Sequence, residues 1–313
     1  FCKNAEITPM LVTQDDRIMA VCTYIAAAKL SDTLQIAFFE ARKDCQEAVD
    51  LIVETAKEKS RAQDRKKITI GLNGHVNYGL GILASDFEKA VCFGSSYNPP
   101  YYVDYFKKYG CKEYHLTSFL TDMKRYNLDA EQKILDRIKR KFNFRIANFR
   151  NLRREVEIYT DLNNRCFKEH PFYFERAVSE DYELLHQFKP FIKGENLLIA
   201  ECNGEPVGFL LWYPDFNQLI PAGGRIGIGT FIKNKLFGRS IDRFKIVEIG
   251  IVPEYQNSGA ILGLFSKCME LTRHRYKWCE AGWILDTNSK SKSFGLRWAD
   301  REYKSYKAYE LEL

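Results

Sequence analysis

The chain has 313 residues, 45% hydrophobic and 28% charged, with a formal net charge of +6. That is long for one compact domain and predicts two, each able to bury its own core. No apolar run reaches the length of a membrane span, and the nine cysteines are scattered with no Cys-x-x-Cys pair. Together these exclude a spanning helix and a disulfide framework, and predict reduced core cysteines in a cytoplasmic protein. The start at Phe1 shows no signal sequence, and because it is not Met the numbered chain is expected to begin inside a longer gene product.

In chain order, the first half gives strands near residues 10–13, 18–25 and 34–40, then a helix in which Ala48, Leu51, Ile52 and Thr55 recur at helical spacing. A strand at 68–72, a short helix at 101–108 and a closing strand at 111–119 complete it. Between Glu40 and the first helix stands Ala41-Arg42-Lys43-Asp44, with no glycine to let a backbone approach an anion. His75 sits in a glycine-rich loop, where a turn residue satisfied by backbone is the expectation.

A basic run follows. Arg137, Lys139, Arg140, Lys141, Arg145, Arg150, Arg153 and Arg154 occur with no acidic residue between them. With no zinc, helix-turn-helix or RNP-like pattern beside it, the run reads as the solvated faces of a helix end, a strand and a helix start, not as a nucleic-acid site.

The second half predicts helices at 153–167 and 179–188 and a hairpin of strands 197–202 and 206–212 around Asn203-Gly204. An extension at 218–243 reads as a lid beside a cleft or an ordinary packed helix. Next comes the most informative unit. Ile246, Val247, Ile249, Ile251 and Val252 form a nearly continuous apolar strand, Pro253 stops it, and beyond Gly259 the positions Ile261, Leu264, Phe265, Cys268 and Thr272 take helical spacing. Free N–H groups of residues 256–261 meet where a helix begins, a ready site for a diphosphate. Strand 278–286, Asn288, a short segment to Trp298 and a final strand at 302–311 follow.

These residues resemble the GNAT superfamily of acyl-CoA N-acyltransferases, which carries a strand, then Gln or Arg, two residues, Gly, one residue, and Gly or Ala. Gln256, Asn257, Ser258, Gly259 and Ala260 match, while Ile261 stands where a small residue is usual. Phe38-Phe39-Glu40, the segment from Gly71 to Gly79, and Tyr97-Asn98-Pro99-Pro100-Tyr101-Tyr102 are similar to a narrower group of bacterial tandem-GNAT proteins, as are Pro214-Asp215-Phe216-Asn217 and the residues from Trp283 to Asn288. The resemblance implies an α+β protein of two tandem GNAT-like domains, each a mixed twisted sheet flanked by helices. A degenerate, truncated copy would occupy residues 1–125 and a helical linker 126–141, leaving 142–313 for the acyl-CoA-binding domain.

The implied activity is N-acyl transfer, acetyl transfer first, from acetyl-CoA or another acyl-CoA to a primary amine of a small molecule. Main chain at Ile249, Gly250, Ile251 and Val252 would pair with the pantetheine arm, with Ile251 N–H polarising the thioester. The 256–260 turn would hold the diphosphate and Asn288 would touch the arm. Glu248 interrupts an apolar strand, and a partly desolvated carboxylate there suits proton abstraction, directly or through water. The family's proton-donating Tyr falls near Gly295, where no phenol stands, so Tyr303 on the final strand is the candidate acid. Glu280 reads as half of a strand-face ion pair. No His, Cys or carboxylate spacing implies a metal, and no membrane partner is expected. The competing function is a non-catalytic acyl-CoA or acyl-carrier binder, suggested by Ile261 and the absent Tyr.

Overall fold

The computed structural model describes residues 4–221 and 223–313. Its first half opens with β1 (Ala5–Gln14) and β2 (Arg17–Ala27), joined through Asp15 and Asp16 at φ 49° and 61°. Two left-handed residues in succession make the tight turn that matches the twist of an antiparallel pair. β3 (Thr33–Ala41), α1 (Gln46–Ala62) and β4 (Lys67–Ile70) follow, with β3 and β4 parallel. β5 (Ile82–Leu83), a one-turn α2 (Tyr102–Tyr105) and β6 (Lys112–Asp122) end this half.

Helix α3 (Gln132–Lys141) leads into β7 (Asn143–Ile146), α4 (Leu152–Cys166), α5 (Val178–Phe188), β8 (Leu197–Cys202) and β9 (Glu205–Pro214). The β8–β9 turn is the expected Asn203-Gly204, again with two positive φ values. Then come α6 (Ile228–Phe237), β10 (Arg243–Ile251), α7 (Ala260–Thr272), β11 (Trp278–Leu285), α8 (Ser289–Trp298) and β12 (Arg301–Glu312). The expected element types hold, with bounds shifted by a few residues.

One feature differs. Instead of each half closing with its own last strand, a single twelve-stranded sheet runs β1-β2-β3-β4-β12-β6-β11-β10-β9-β8-β7, with β5 paired to β12 off this path. The last strand of the chain, β12, lies against β4 of the first half, and the first half's β6 lies against β11 of the second. The closing strands are exchanged. An alternating pattern says which strand face is buried but not which neighbour it pairs with, so 111–119 and 302–311 read correctly as strands and wrongly as closing their own halves.

Each half keeps a core of its own. In the first, α1 buries Val49, Ile52, Val53 and Ala56 against the sheet, and in the second α7 buries Ala260, Leu264, Cys268 and Thr272. A small third cluster around Leu116, Phe172, Tyr306 and Ala308 sits where the exchanged strands meet. Within the basic run, Arg145 pairs with Glu155 at 3.0 Å and Glu201 at 2.6 Å, and Lys139 with Glu270 at 3.3 Å, while Arg137, Arg140, Lys141 and Arg150 are exposed. Among the described residues, no helix is long and apolar enough to cross a membrane.

Candidate active site

Strands β10 and β11 are parallel but pair over only four positions, from Arg243↔Trp278 to Ile246↔Ala281. Beyond them the strands part. A one-residue bulge in β10 against β9 and another irregularity in β11 against β6 fall at this point, and such irregularities turn a strand away from its neighbour. The gap opens into a cavity of about 530 Å³ that reaches both faces of the sheet. Ile261, Phe265, Phe294 and Trp298 of α7 and α8 line one side; Val76 to Gly79 of the first half, with Phe167 and Tyr173, line the other.

Main-chain direction in β10 follows from one bond. Val252 N–H donates to the Val207 carbonyl at 3.0 Å, so by the alternation of an antiparallel ladder Gly250 also faces β9, and the amides of Ile249 and Ile251 face the gap. Gly250 and Val252, expected among the main-chain partners of a ligand, are therefore turned away from it. Gly250 serves packing instead, since a Cβ there would meet Cys166 Sγ at 2.9 Å.

The turn after β10 divides in the same way. Gln256 and Ser258 donate to the Pro253 and Tyr255 carbonyls, and Ala260 N–H reaches Ser258 Oγ at 3.4 Å. These three amides are occupied. Among the described residues, the amides of Asn257, Gly259 and Ile261 have no protein acceptor. They sit at the start of a thirteen-residue helix whose cap, Gly259, has φ 86°, and unpaired donors at such a terminus favour an anion. A Cβ on Gly259 would lie 2.7 Å from Ile138 Cδ1 of α3, so glycine is required there for both conformation and space.

Glu248 is half-buried on the cavity wall. Its Oε2 accepts from Tyr159 hydroxyl at 2.7 Å and Asn163 Nδ2 at 3.0 Å, both on α4. Oε1 takes no hydrogen bond from the described residues. Buried Arg176 stacks over the Tyr159 ring at 5.2 Å and pairs with Asp181 at 2.8 Å, fixing the phenol that orients Glu248. Tyr159 and Asn163 are i, i+4 on one helix face. They form a polar pair in an apolar stripe, a signal present in the sequence but remote from the strand that carries Glu248.

Asn288 lines the cavity, its Oδ1 capping α8 by accepting from Ser291 N–H at 3.1 Å. Tyr303 does not line the cavity. The strand exchange separates β12 from β10 by two intervening strands, and Tyr303 sits beside Lys89, Lys304 and Arg243 at the closed end of the gap. Tyr303 is therefore not placed to protonate a group in the gap. Gly295, where a phenol was missed, faces Phe119 of the exchanged β6, and a Cβ on it would lie 2.9 Å from Phe119 Cε2; a tyrosine would collide there. The 218–243 extension holds α6, with Ile228 and Leu236 exposed, and contributes no described residue to the cavity.

The first half supplies the wall at residues 76–79 through His75. Its Nδ1 accepts from Asn77 N–H at 3.2 Å and its Nε2 meets the Phe174 carbonyl at 3.0 Å. Burial, with Arg176 nearby, pushes the ring down to about 3, so it is neutral near pH 7. Cys166 also lines the cavity, but burial pushes its thiol up to about 12, which disfavours the thiolate form.

No family model matches the chain. Protein YghO of Escherichia coli strain K12 is 24% identical over 268 residues, spanning 81% of this chain and 67% of its own length. Among solved structures, the GCN5-related glucosamine N-acetyltransferase region of a fungal multi-domain GH3 beta-N-acetylglucosaminidase superposes with a TM-score of 0.60 at 13% identity, covering 97% of this chain and 33% of that one. A GCN5-related N-acetyltransferase from Sphaerobacter thermophilus gives 0.54 at 10% identity, with 97% and 80% covered. A tandem GNAT protein from the clavulanic acid biosynthesis pathway gives 0.53 at 11%, with 99% and 83% covered. The fold is the α+β tandem GNAT arrangement.

Proposed function

We propose that this chain is a GNAT-type acyl-CoA N-acyltransferase, moving an acyl group from acetyl-CoA or a longer acyl-CoA to a primary amine of a small molecule. The observation that carries the proposal is the unpaired stretch of β10 and β11. It exposes main-chain groups to a cavity walled by Glu248, with unpartnered amides at the adjoining helix start. The residues around the gap fit acyl-CoA: Asn257, Gly259 and Ile261 would hold its diphosphate, Ile249 and Ile251 its pantetheine arm, and Asn288 the same arm through its side-chain N–H. Bound there, it supplies an acyl group activated as a thioester.

The chain's own part is positioning and proton transfer. Glu248 Oε1 takes a proton from the amine, directly or through water, as nitrogen bonds to the acyl carbon and the carbon–sulfur bond breaks. Ile251 N–H faces the gap where negative charge on the carbonyl oxygen needs a donor. The leaving thiolate is stable near neutral pH, so water can protonate it and no phenol is required. Eight described cysteines are all unpaired, which supports a reducing, cytoplasmic setting.

Calorimetric titration with CoA thioesters of several chain lengths, followed by thiol release across an amine panel, tests the proposal. Glu248→Gln should slow transfer by roughly 10²- to 10⁴-fold while CoA affinity is retained; unchanged turnover would remove Glu248 as base. Binding without thiol release from any amine would favour the second reading, a non-catalytic acyl-CoA binder, for which Phe119 filling the family's phenol position is the supporting observation.

A further inference from the structure

The cavity holds a second charged group that the acyl-transfer chemistry leaves unused. Lys245 is 3% exposed yet lines the cavity. Its Nζ donates to Ser95 Oγ at 2.6 Å, and among the described residues no carboxylate oxygen lies within ion-pair distance. A buried ammonium with three donors and one such bond has capacity for another acceptor.

Neighbouring charges leave that capacity open. Arg243 is taken by Asp215, through bonds of 2.8 and 2.6 Å. Lys304 donates to the carbonyls of Asp86 and Lys89 at 2.7 and 2.8 Å. Glu280, opposite Lys245 on β11, is fully buried and, among the described residues, accepts no hydrogen bond and has Arg243 at 3.9 Å as its nearest cation. Burial raises the Glu280 carboxyl above its ordinary range, although Lys245 and then Arg243 pull it back; the separation of Lys245 from its oxygens still exceeds ion-pair distance. Three buried cations thus face two buried carboxylates, and the ammonium that meets the cavity is Lys245.

Register places this cation relative to Glu248. Lys245 pairs with Tyr213 and Glu248 with Leu211, two residues apart on β9, so the bulge at Val247 puts Lys245 and Glu248 on the same face, about 7 Å apart along the strand. Around Glu248 the balance is reversed, because Arg176 is matched by Asp181 and the Glu248 charge is left over. The wall between is aromatic, with Phe167, Tyr173 and Tyr213.

We infer that the acceptor amine also carries a carboxylate, and is an amino acid with an apolar or aromatic side chain, its nitrogen at Glu248 and its carboxylate at Lys245. This rests on the acyltransferase reading and narrows it. A carboxylate at Lys245 gains a charge-assisted hydrogen bond to a cation that is itself only 3% exposed, which the decarboxylated amine forgoes.

The test compares matched pairs: L-phenylalanine with phenethylamine, L-leucine with 3-methylbutylamine, and glycine with methylamine. For each, kcat/KM is measured by thiol release from acetyl-CoA, and affinity is measured separately by calorimetry on the full chain. The best amino acid should exceed its decarboxylated partner roughly 10- to 100-fold, and Lys245→Met should erase that preference. Lys245→Met/Glu280→Gln, which removes both buried charges together, should erase it equally in a chain spared an unpaired carboxylate. Equal use of both pair members by the native chain, or discrimination that survives in the two variants, overturns the inference while leaving acyl transfer intact. Lys245-dependent binding of the amino acid with no thiol release would do the reverse. Absence of both binding and transfer for every member overturns the inference as well.

Discussion

The chain contains the same strand-turn-helix unit twice, and the two copies have opposite hydrogen-bond accounts. In the first, β3 leads to α1, and tyrosines of the Tyr97 to Tyr102 segment and α2 occupy the turn: Ala41 N–H donates to Tyr102 hydroxyl at 2.9 Å and Cys45 N–H to Tyr105 hydroxyl at 3.3 Å. Phe38 N–H, in the stretch of β3 beyond its pairing with β4, donates to Asn73 Oδ1 at 2.8 Å. In the second copy the corresponding amides at Asn257, Gly259 and Ile261, and those of Ile249 and Ile251 facing the gap, have no protein acceptor among the described residues. Backbone plan alone does not make a binding site; it also requires donors that the protein leaves unmet. The plugged copy gives up its own site and supplies the cavity wall at residues 76–79.

The largest expected way to break this contrast is Gly259→Asp, which should weaken CoA binding by at least roughly 100-fold, since it strains the φ 86° cap and sets a carboxylate against a diphosphate. Gly259→Ala adds the contact with Ile138 without the charge, so the difference between the two variants, read by calorimetry, isolates the anion term. Equal CoA affinity in native and Asp forms would show that this turn binds no diphosphate.

Next in size, Tyr102→Phe should destabilise the fold by about 1–3 kcal/mol, because it strands the buried Ala41 amide and removes the hydroxyl's 2.6 Å bond to exposed Glu40. CoA affinity should not change, because the amides left without an acceptor are in the second copy. Denaturant titration gives the first quantity and calorimetry the second; a gain of CoA binding would mean that the Tyr102 hydroxyl alone keeps a ligand out of the first copy.

The smallest effect at neutral pH concerns His75. Its folded pKa, about 3, lies below the ordinary 6.5, so the unfolded chain takes up the proton first and stability falls as pH drops from about 6.5 toward 3. His75→Asn, which can cap Asn77 without titrating, should flatten part of that fall and leave pH 7 stability nearly unchanged. His170, pushed down to about 4 by burial, keeps the remainder. An acid profile identical to the native one would remove His75 as a contributor.

Much of the site was legible because it is local. The apolar run 246–252, Pro253 and Gly259 specify strand, stop and helix start within a few residues, and Glu248 stands out as a charge in that run. What was not legible depends on distant neighbours. Nothing within 302–311 tells it to pair with β4, and so the exchange that removes Tyr303 from the site, and sets Phe119 against Gly295, was hidden. Lys245 stands one residue before the apolar run, yet its meaning needs the β10 bulge and its register with β9, neither of which a strand pattern reveals.

Amide hydrogen exchange on the full chain, with and without CoA, tests the central contrast most directly. Protection is predicted at Ile249, Ile251, Asn257, Gly259 and Ile261 and none at residues 38–45. Protection confined to the first copy, or no change at either turn under saturating CoA, would contradict the account.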